Sequence, residues 1–241
     1  MFLGTGKYEI SDRTIYVFRL PFEFNLKPTD YESGNKIGLR LLAPIAIGVT
    51  NFEDISEVPD FNIDDIQTIT VTPGIEVPIE VKQDWHIKPF IQAGVGLDAK
   101  SDAKSFVWGA GVRSSYLPSK ESNWIFGGEF LSAGNRPDGD NPNTSFSRIG
   151  IGAEYKIPTS WKIFDRNISW HARIIHWHFT DAVNFKPPSK PTDIHNATEI
   201  GFSLGLNPGI NILGYNFTQG GIGYEKADGY DAIVLFTTFP F

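Results

Sequence analysis

The sequence predicts an all-β protein, a closed antiparallel transmembrane β-barrel of about 12 strands, with 10–14 as the range. Three observations predict it. Apolar residues recur at every second position along nearly the whole chain, which collects them on one face of an extended strand. The intervening positions carry glycine and charges of both signs. The chain closes on an alternating aromatic segment, Ile233-Val234-Leu235-Phe236-Thr237-Thr238-Phe239-Pro240-Phe241.

The strands follow in chain order. A weak one occupies the first ten residues. The next lies at about 13–25, with Tyr16, Phe18, Leu20, Phe22 and Phe24 on its apolar face. From Ile37 to Val49 the odd positions are apolar, whereas the even ones read Gly38, Arg40, Leu42, Pro44, Ala46 and Gly48. Ile69, Val71, Ile75, Val77 and Ile79 then oppose Thr68, Thr70, Thr72, Gly74 and Glu76. Trp85, Ile87, Ile91, Ala93, Val95 and Leu97 oppose His86, Lys88, Phe90, Gln92, Gly94 and Gly96. The same grammar continues through Phe106–Arg113, Trp124–Phe130, Arg148–Tyr155, Ile168–Ile174 and Glu199–Leu206, and two further strands lie near 214–226 and 229–241. An even total is expected of a bacterial single-chain barrel, which makes twelve the preferred count.

Alternation alone does not say which face points inward. Size decides it. About twelve strands enclose a lumen too wide to be filled by one layer of apolar side chains. The polar face is therefore placed inside, with Arg40, Lys88, Arg113, Glu129, Arg148, Glu154, Arg173 and Glu199 as lumen-facing charges. Glu76 falls on the same face. Facing lipid, each basic residue would cost ~2–4 kcal/mol at the bilayer midplane. Trp85, Tyr116, Trp124, Tyr155 and Tyr215 lie near strand ends, where interfacial aromatic girdles sit. One feature resists this reading: Pro21, Pro44, Pro73, Pro78, Pro89 and Pro240 fall in or beside strands. Proline cannot donate to a ladder, and a closed barrel has no edges to shelter it.

Three long polar connections, at about 51–65, 134–145 and 180–197, fall at the same end in this strand order. That asymmetry predicts long loops outside the cell and a periplasmic C-terminus. The stretch near 26–35 sits at the opposite end. Residues 1–10 have neither the basic start nor the apolar core of a signal peptide, so the chain reads as a mature form.

Composition narrows the function classes. The 241 residues include no cysteine, which excludes disulfides and thiolate chemistry. The formal net charge of -7 argues against nucleic acid as a partner. No Walker, dinucleotide or zinc-finger motif is present.

Ser147-Arg148-Ile149-Gly150-Ile151-Gly152-Ala153-Glu154-Tyr155, Glu199-Ile200-Gly201-Phe202-Ser203-Leu204-Gly205-Leu206, Gly221-Ile222-Gly223-Tyr224 and the closing Phe-Pro-Phe form a series. Together with Leu42-Ala43-Pro44-Ile45-Ala46-Ile47-Gly48, it resembles the solitary outer-membrane autotransporter-type β-barrel domains of Gram-negative bacteria. The resemblance implies a translocator-like barrel of about twelve strands without a passenger, and a girdled closed barrel can stand as a monomer. Its partners would be outer-membrane lipid and, during biogenesis, the barrel-assembly machinery. Ile233, Leu235, Phe239 and Phe241 resemble the C-terminal insertion signal of such barrels, with all four expected on the lipid face.

Three constellations could carry chemistry. His176 and His178 share a strand face and could ligate a metal with Asp181 or His195, although a polar cluster at a strand end is the plainer reading. Inward Ser169, His171 and Arg173 suggest an outer-membrane lipid hydrolase, but no third triad member is identifiable from spacing. The Asp-, Asn- and Gly-rich stretch at 134–145 lacks EF-hand spacing and reads as a solvated turn. The expectation is therefore a barrel without catalytic, cofactor or metal residues. It would be structural or a narrow pore, with external loops that bind a partner. An open channel for small solutes or ions is the alternative and a lipid hydrolase the second.

Overall fold

The computed structural model describes residues 4–10, 13–51, 67–99, 102–119, 121–139, 143–185, 192–212 and 215–241. Its strands are β1 (Thr5–Ile10), β2 (Arg13–Lys27), β3 (Leu39–Asn51), β4 (Thr68–Val71), β5 (Gly74–Glu76), β6 (Ile79–Lys82) and β7 (Trp85–Asp98). They continue as β8 (Lys104–Tyr116), β9 (Trp124–Pro137), β10 (Thr144–Ile163), β11 (Arg166–Phe185), β12 (Thr192–Ile212), β13 (Tyr215–Ala227) and β14 (Tyr230–Phe236). Except among β4, β5 and β6, each strand pairs antiparallel with its sequence neighbour, and β1 pairs with β14 from Thr5↔Leu235 to Ile10↔Tyr230. The sheet thus closes on itself. β4, β5 and β6 share one position in the wall, between β3 and β7, so the fourteen segments make a twelve-stranded barrel.

The prolines explain that broken wall strand. Pro73 separates β4 from β5, and Pro78 separates β5 from β6. Neither has an N–H to give, yet their carbonyls still accept bonds from Ala93 N (3.0 Å) and Gly38 N (2.8 Å). Pro21 and Pro44 face each other across β2 and β3, and the Pro44 carbonyl accepts from Thr72 N at the same break (3.2 Å). A closed sheet has no edge, so it gathers these residues where the ladder is interrupted. Pro240 lies beyond the last strand. Opposite the gap the backbones come close: a Cβ on Gly94 would collide with the Val71 carbonyl oxygen. Gly94→Val should therefore destabilise the barrel by on the order of 2–3 kcal/mol, read as a lower midpoint in urea unfolding from lipid vesicles. An unchanged midpoint would mean that this contact is not made.

The faces fall as the alternation predicts. Leu20, Ile91, Ile151, Phe202 and Ile222 point outward and are more than half exposed, whereas Gln92, Glu129, Glu154 and Glu199 point inward and are buried. Ile168 departs from this, being buried beside a register shift between Pro158 and Lys162. A continuous outward belt of large apolar side chains needs an apolar solvent, so the chain is a transmembrane barrel of the outer-membrane type. No helix among the described residues is long and apolar enough to cross a membrane. Trp85 pairs with Tyr116 and Trp124 with Tyr155 across adjacent strands at one end, as a girdle requires. The Tyr215 side chain lies outside the described residues.

The connections β3–β4, β7–β8, β9–β10 and β11–β12 emerge at one end of the barrel, the loop end. Thr5 and Phe236 lie at the other, the terminus end. Two of the expected long loops are shorter than their polarity suggested. β9 and β10 run to Pro137 and from Thr144, and β11 and β12 stay paired as far as Phe185↔Thr192. Ladder bonds are made by backbone, so polar residues extend a hairpin beyond the apolar belt at no loss of pairing. Residues 52–66, 140–142 and 186–191 lie outside the description. At the terminus end, residues 28–38 form an ordered turn: Asp30 pairs with Asn35, and the Asp30 carboxylate accepts from Glu32 N (3.1 Å) and Ser33 N (3.3 Å).

The interior is not uniformly polar. Tyr8, Val17, Ile175, Trp177, Ile194, Ala197, Tyr230, Ala232 and Val234 form an apolar patch on the lumen side of β1, β2, β11, β12 and β14. A smaller cluster, Leu42, Phe90, Leu131 and Ala133, lies on β3, β7 and β9.

Candidate functional site

The larger patch has an occupant. β14 ends at Phe236, and residues 237–241 turn into the lumen instead of continuing the wall. Phe239 and Phe241 are 8% and 5% exposed and pack against Trp177 and its neighbours. This corrects the expectation for the closing segment: Ile233 and Leu235 do point outward, at 49% and 53% exposure, but Phe239 and Phe241 point inward. The strand could not carry all four outward, because pairing with β13 runs from Ala227↔Tyr230 only to Gly221↔Phe236. Beyond Phe236 the apolar side chains find the lumen patch instead of lipid.

The tail crosses the bore. It leaves from β14 and reaches the far wall at β7 and β9. Lys88 Nζ donates to the Phe241 carbonyl oxygen (3.1 Å) and Arg173 Nη1 to the Thr238 carbonyl oxygen (3.1 Å). The Phe241 ring lies 5.5 Å from Trp177, tilted by 52°, and 5.1 Å, edge-on, from Phe239. Trp177 in turn lies flat over Gly150, where any Cβ would collide with its ring. On the loop side of the tail is a cavity of about 1080 Å³. Thr237, Thr238 and Pro240 contribute to its lining, together with Arg113, Arg148 and Arg173.

The predicted lumen charges are brought together as a ladder. Arg40 Nη1 bridges Glu23 (3.1 Å) and Glu76 (2.9 Å). Arg113 continues from Glu76 (3.0 Å) to Glu129 (3.1 Å), and Arg148 follows from Glu129 (3.0 Å). On the other side Arg173 Nε donates to Glu199 Oε1 (2.7 Å), and Tyr230 donates to Glu225. Arg113 lies over Phe90 at 4.3 Å, Arg148 over Trp177 at 4.1 Å, and Arg173 over Phe236 at 3.1 Å. A guanidinium spreads its charge in a plane and so meets a carboxylate edge-on and a ring face at once. Lys88 and Glu154, the remaining predicted charges, meet the tail and His171. Glu23, Glu225 and the tail itself were not picked out by sequence reasoning. Parity along β2 and β13 is the signal that could have found both glutamates, whereas nothing in the alternation marked the turn after Phe236.

The histidine pair behaves as the plainer reading expects. His176 Nδ1 meets Thr198 Oγ1 and His178 Nδ1 meets Asn196 Oδ1, each at 2.9 Å and each across to β12. No group of three or more His, Cys, Asp or Glu converges among the described residues. The side chain of Asp181 lies outside them. In the 134–145 stretch Thr144 bonds Asn135, which ties the hairpin rather than opening a cation site.

No family model and no curated protein matches the chain. Among solved structures it is similar to the NanC porin, at 13% identity and a TM-score of 0.47, over 97% of each chain. It is also similar to the β domain of the Bordetella autotransporter BrkA, at 7% identity and a TM-score of 0.49, over 97% of this chain and 96% of that one. An autotransporter barrel domain thus stands among its likenesses, beside a porin. The likeness is one of fold.

Proposed function

We propose that this chain is a passenger-free outer-membrane barrel, structural or at most a narrow pore, whose bore is closed by its own tail. The long loops would face the cell exterior and both described ends the periplasm. The observation that carries this reading is the tail at 237–241, seated on the lumen patch and tied to Lys88 and Arg173. A bore closed from within leaves the external loops and the cavity beneath them as the surface for a partner. Ile233 and Leu235, outward on the closing strand, are the part of the proposed insertion signal that assembly machinery would meet on the lipid side.

The test is single-channel recording of the refolded chain in a planar bilayer, with folding verified by heat-modifiable mobility in SDS gels. The reading expects silence or brief, small events. Steady ohmic steps from the intact chain would favour an open channel for small solutes or ions instead.

A further inference from the structure

Beneath the tail, on the terminus side of the lumen, three side chains from adjacent strands form a relay. Ser169 Oγ lies 2.9 Å from His171 Nε2, and His171 Nδ1 lies 2.8 Å from Glu154 Oε1. Sequence spacing supplied only the serine and the histidine. The register of β10 on β11, Pro158↔Ser169 and Lys156↔His171, supplies the carboxylate. A carboxylate only accepts, so the neutral ring carries its proton on Nδ1. Nε2 then offers its lone pair to the serine hydroxyl. Gln219 Nε2 holds the other Glu154 oxygen at 3.3 Å.

Two further observations favour chemistry over simple satisfaction of buried groups. Gly205, opposite Ser169, makes room for the relay: a Cβ there would lie 2.5 Å from His171 Nε2 and 2.7 Å from Ser169 Oγ, so any other residue would displace it. Ser203, directly across from His171, has a buried hydroxyl with no partner among the described residues. It is an unspent donor one pair along the ladder from Ser169, of the kind an oxyanion needs.

We propose that Ser169, His171 and Glu154 form an esterase site inside the lumen, acting on carboxylic esters of small acyl groups. Ser169 attacks the ester carbonyl carbon while His171 Nε2 takes the hydroxyl proton. The tetrahedral oxyanion accepts a bond from Ser203. It collapses with cleavage of the carbon–oxygen bond, and His171 returns the proton to the departing alcohol. Water then attacks the acyl-serine, again losing a proton to His171, and the carboxylic acid leaves as Ser169 is restored. Because the relay faces the lumen, lipid in the surrounding bilayer has no lateral path to it. The substrate is therefore a soluble ester and not a phospholipid. This proposal holds whether or not the tail closes the bore.

The test uses the full refolded chain, a fluorophosphonate probe and p-nitrophenyl acetate. Peptide mapping should find the adduct on Ser169, and hydrolysis should fall to the buffer rate in Ser169→Ala and His171→Ala. Glu154 is a positioning residue: Glu154→Gln should lower kcat roughly 10²-fold or more with KM unchanged. Ser147→Ala, which alters an outward-facing serine bonded to Ser132 (3.2 Å) and away from the relay, should change neither readout. Folded wild-type protein that gives no adduct on Ser169, or hydrolysis that survives Ser169→Ala, would overturn the proposal.

Discussion

Deleting residues 237–241 is expected to turn a silent barrel into a conducting one. The tail contributes two aromatic side chains to the lumen patch and occupies the donors of Lys88 and Arg173. Without it the apolar patch around Trp177 is left facing water, and the cavity of about 1080 Å³ on the loop side joins the terminus end. The wall itself should survive, because closure rests on β1 pairing with β14 over Thr5–Ile10, none of which involves the tail. The deletion variant should therefore keep its heat-modifiable mobility while showing steady ohmic steps. Lys88→Glu in that background should move ion selectivity toward cations. A folded deletion variant that stays silent would mean that the side-chain ladder, and not the tail, blocks the bore.

The second large effect concerns Glu76. Its side chain is 0% exposed and accepts from both Arg40 (2.9 Å) and Arg113 (3.0 Å). A buried ion pair adds little net stability over a well-packed apolar pair, but removing one partner leaves the other uncompensated. Glu76→Ala removes two charge-assisted hydrogen bonds at once, leaving Arg40 with Glu23 and Arg113 with Glu129, and should cost about 3–5 kcal/mol. The expected result is a clear fall in the urea midpoint for unfolding from lipid vesicles. Lys226→Ala is the contrast: its pair with Asp231 is solvent-exposed, and such pairs contribute about 0–1 kcal/mol. Equal effects for the two variants would show that the ladder is hydrated and carries no strain when broken.

Much of the barrel was legible because a strand repeats every two residues, so residue parity alone assigns the face. Parity along β11 puts Arg173, Ile175 and Trp177 on one side, and the structure agrees. What parity cannot carry is direction after a strand ends. Phe239 and Phe241 continue the odd-numbered series of Ile233 and Leu235, so a strand running on and a tail turning inward read alike. Their destination is set by a lumen patch assembled from five strands, which no local pattern displays. Glu154 was hidden for a related reason. It was recognised as an inward charge, but its place beside His171 depends on hairpin register, which a turn decides. The prolines were legible as an anomaly. Their meaning, a wall strand in three pieces, emerged from pairing on both sides at once.

Closure of the bore depends most directly on the tail lying in the lumen against β9. A Cβ on Gly127 would lie 2.5 Å from the Phe241 Cβ, close enough for a disulfide after about 1 Å of relaxation. The chain has no cysteine of its own, so Gly127→Cys with Phe241→Cys introduces the sole thiol pair. On mild oxidation of the folded protein in vesicles, mass spectrometry should find these two positions cross-linked within one chain. Free thiols at both positions, from protein shown to be folded, would place the tail outside the bore and contradict the closed-barrel reading.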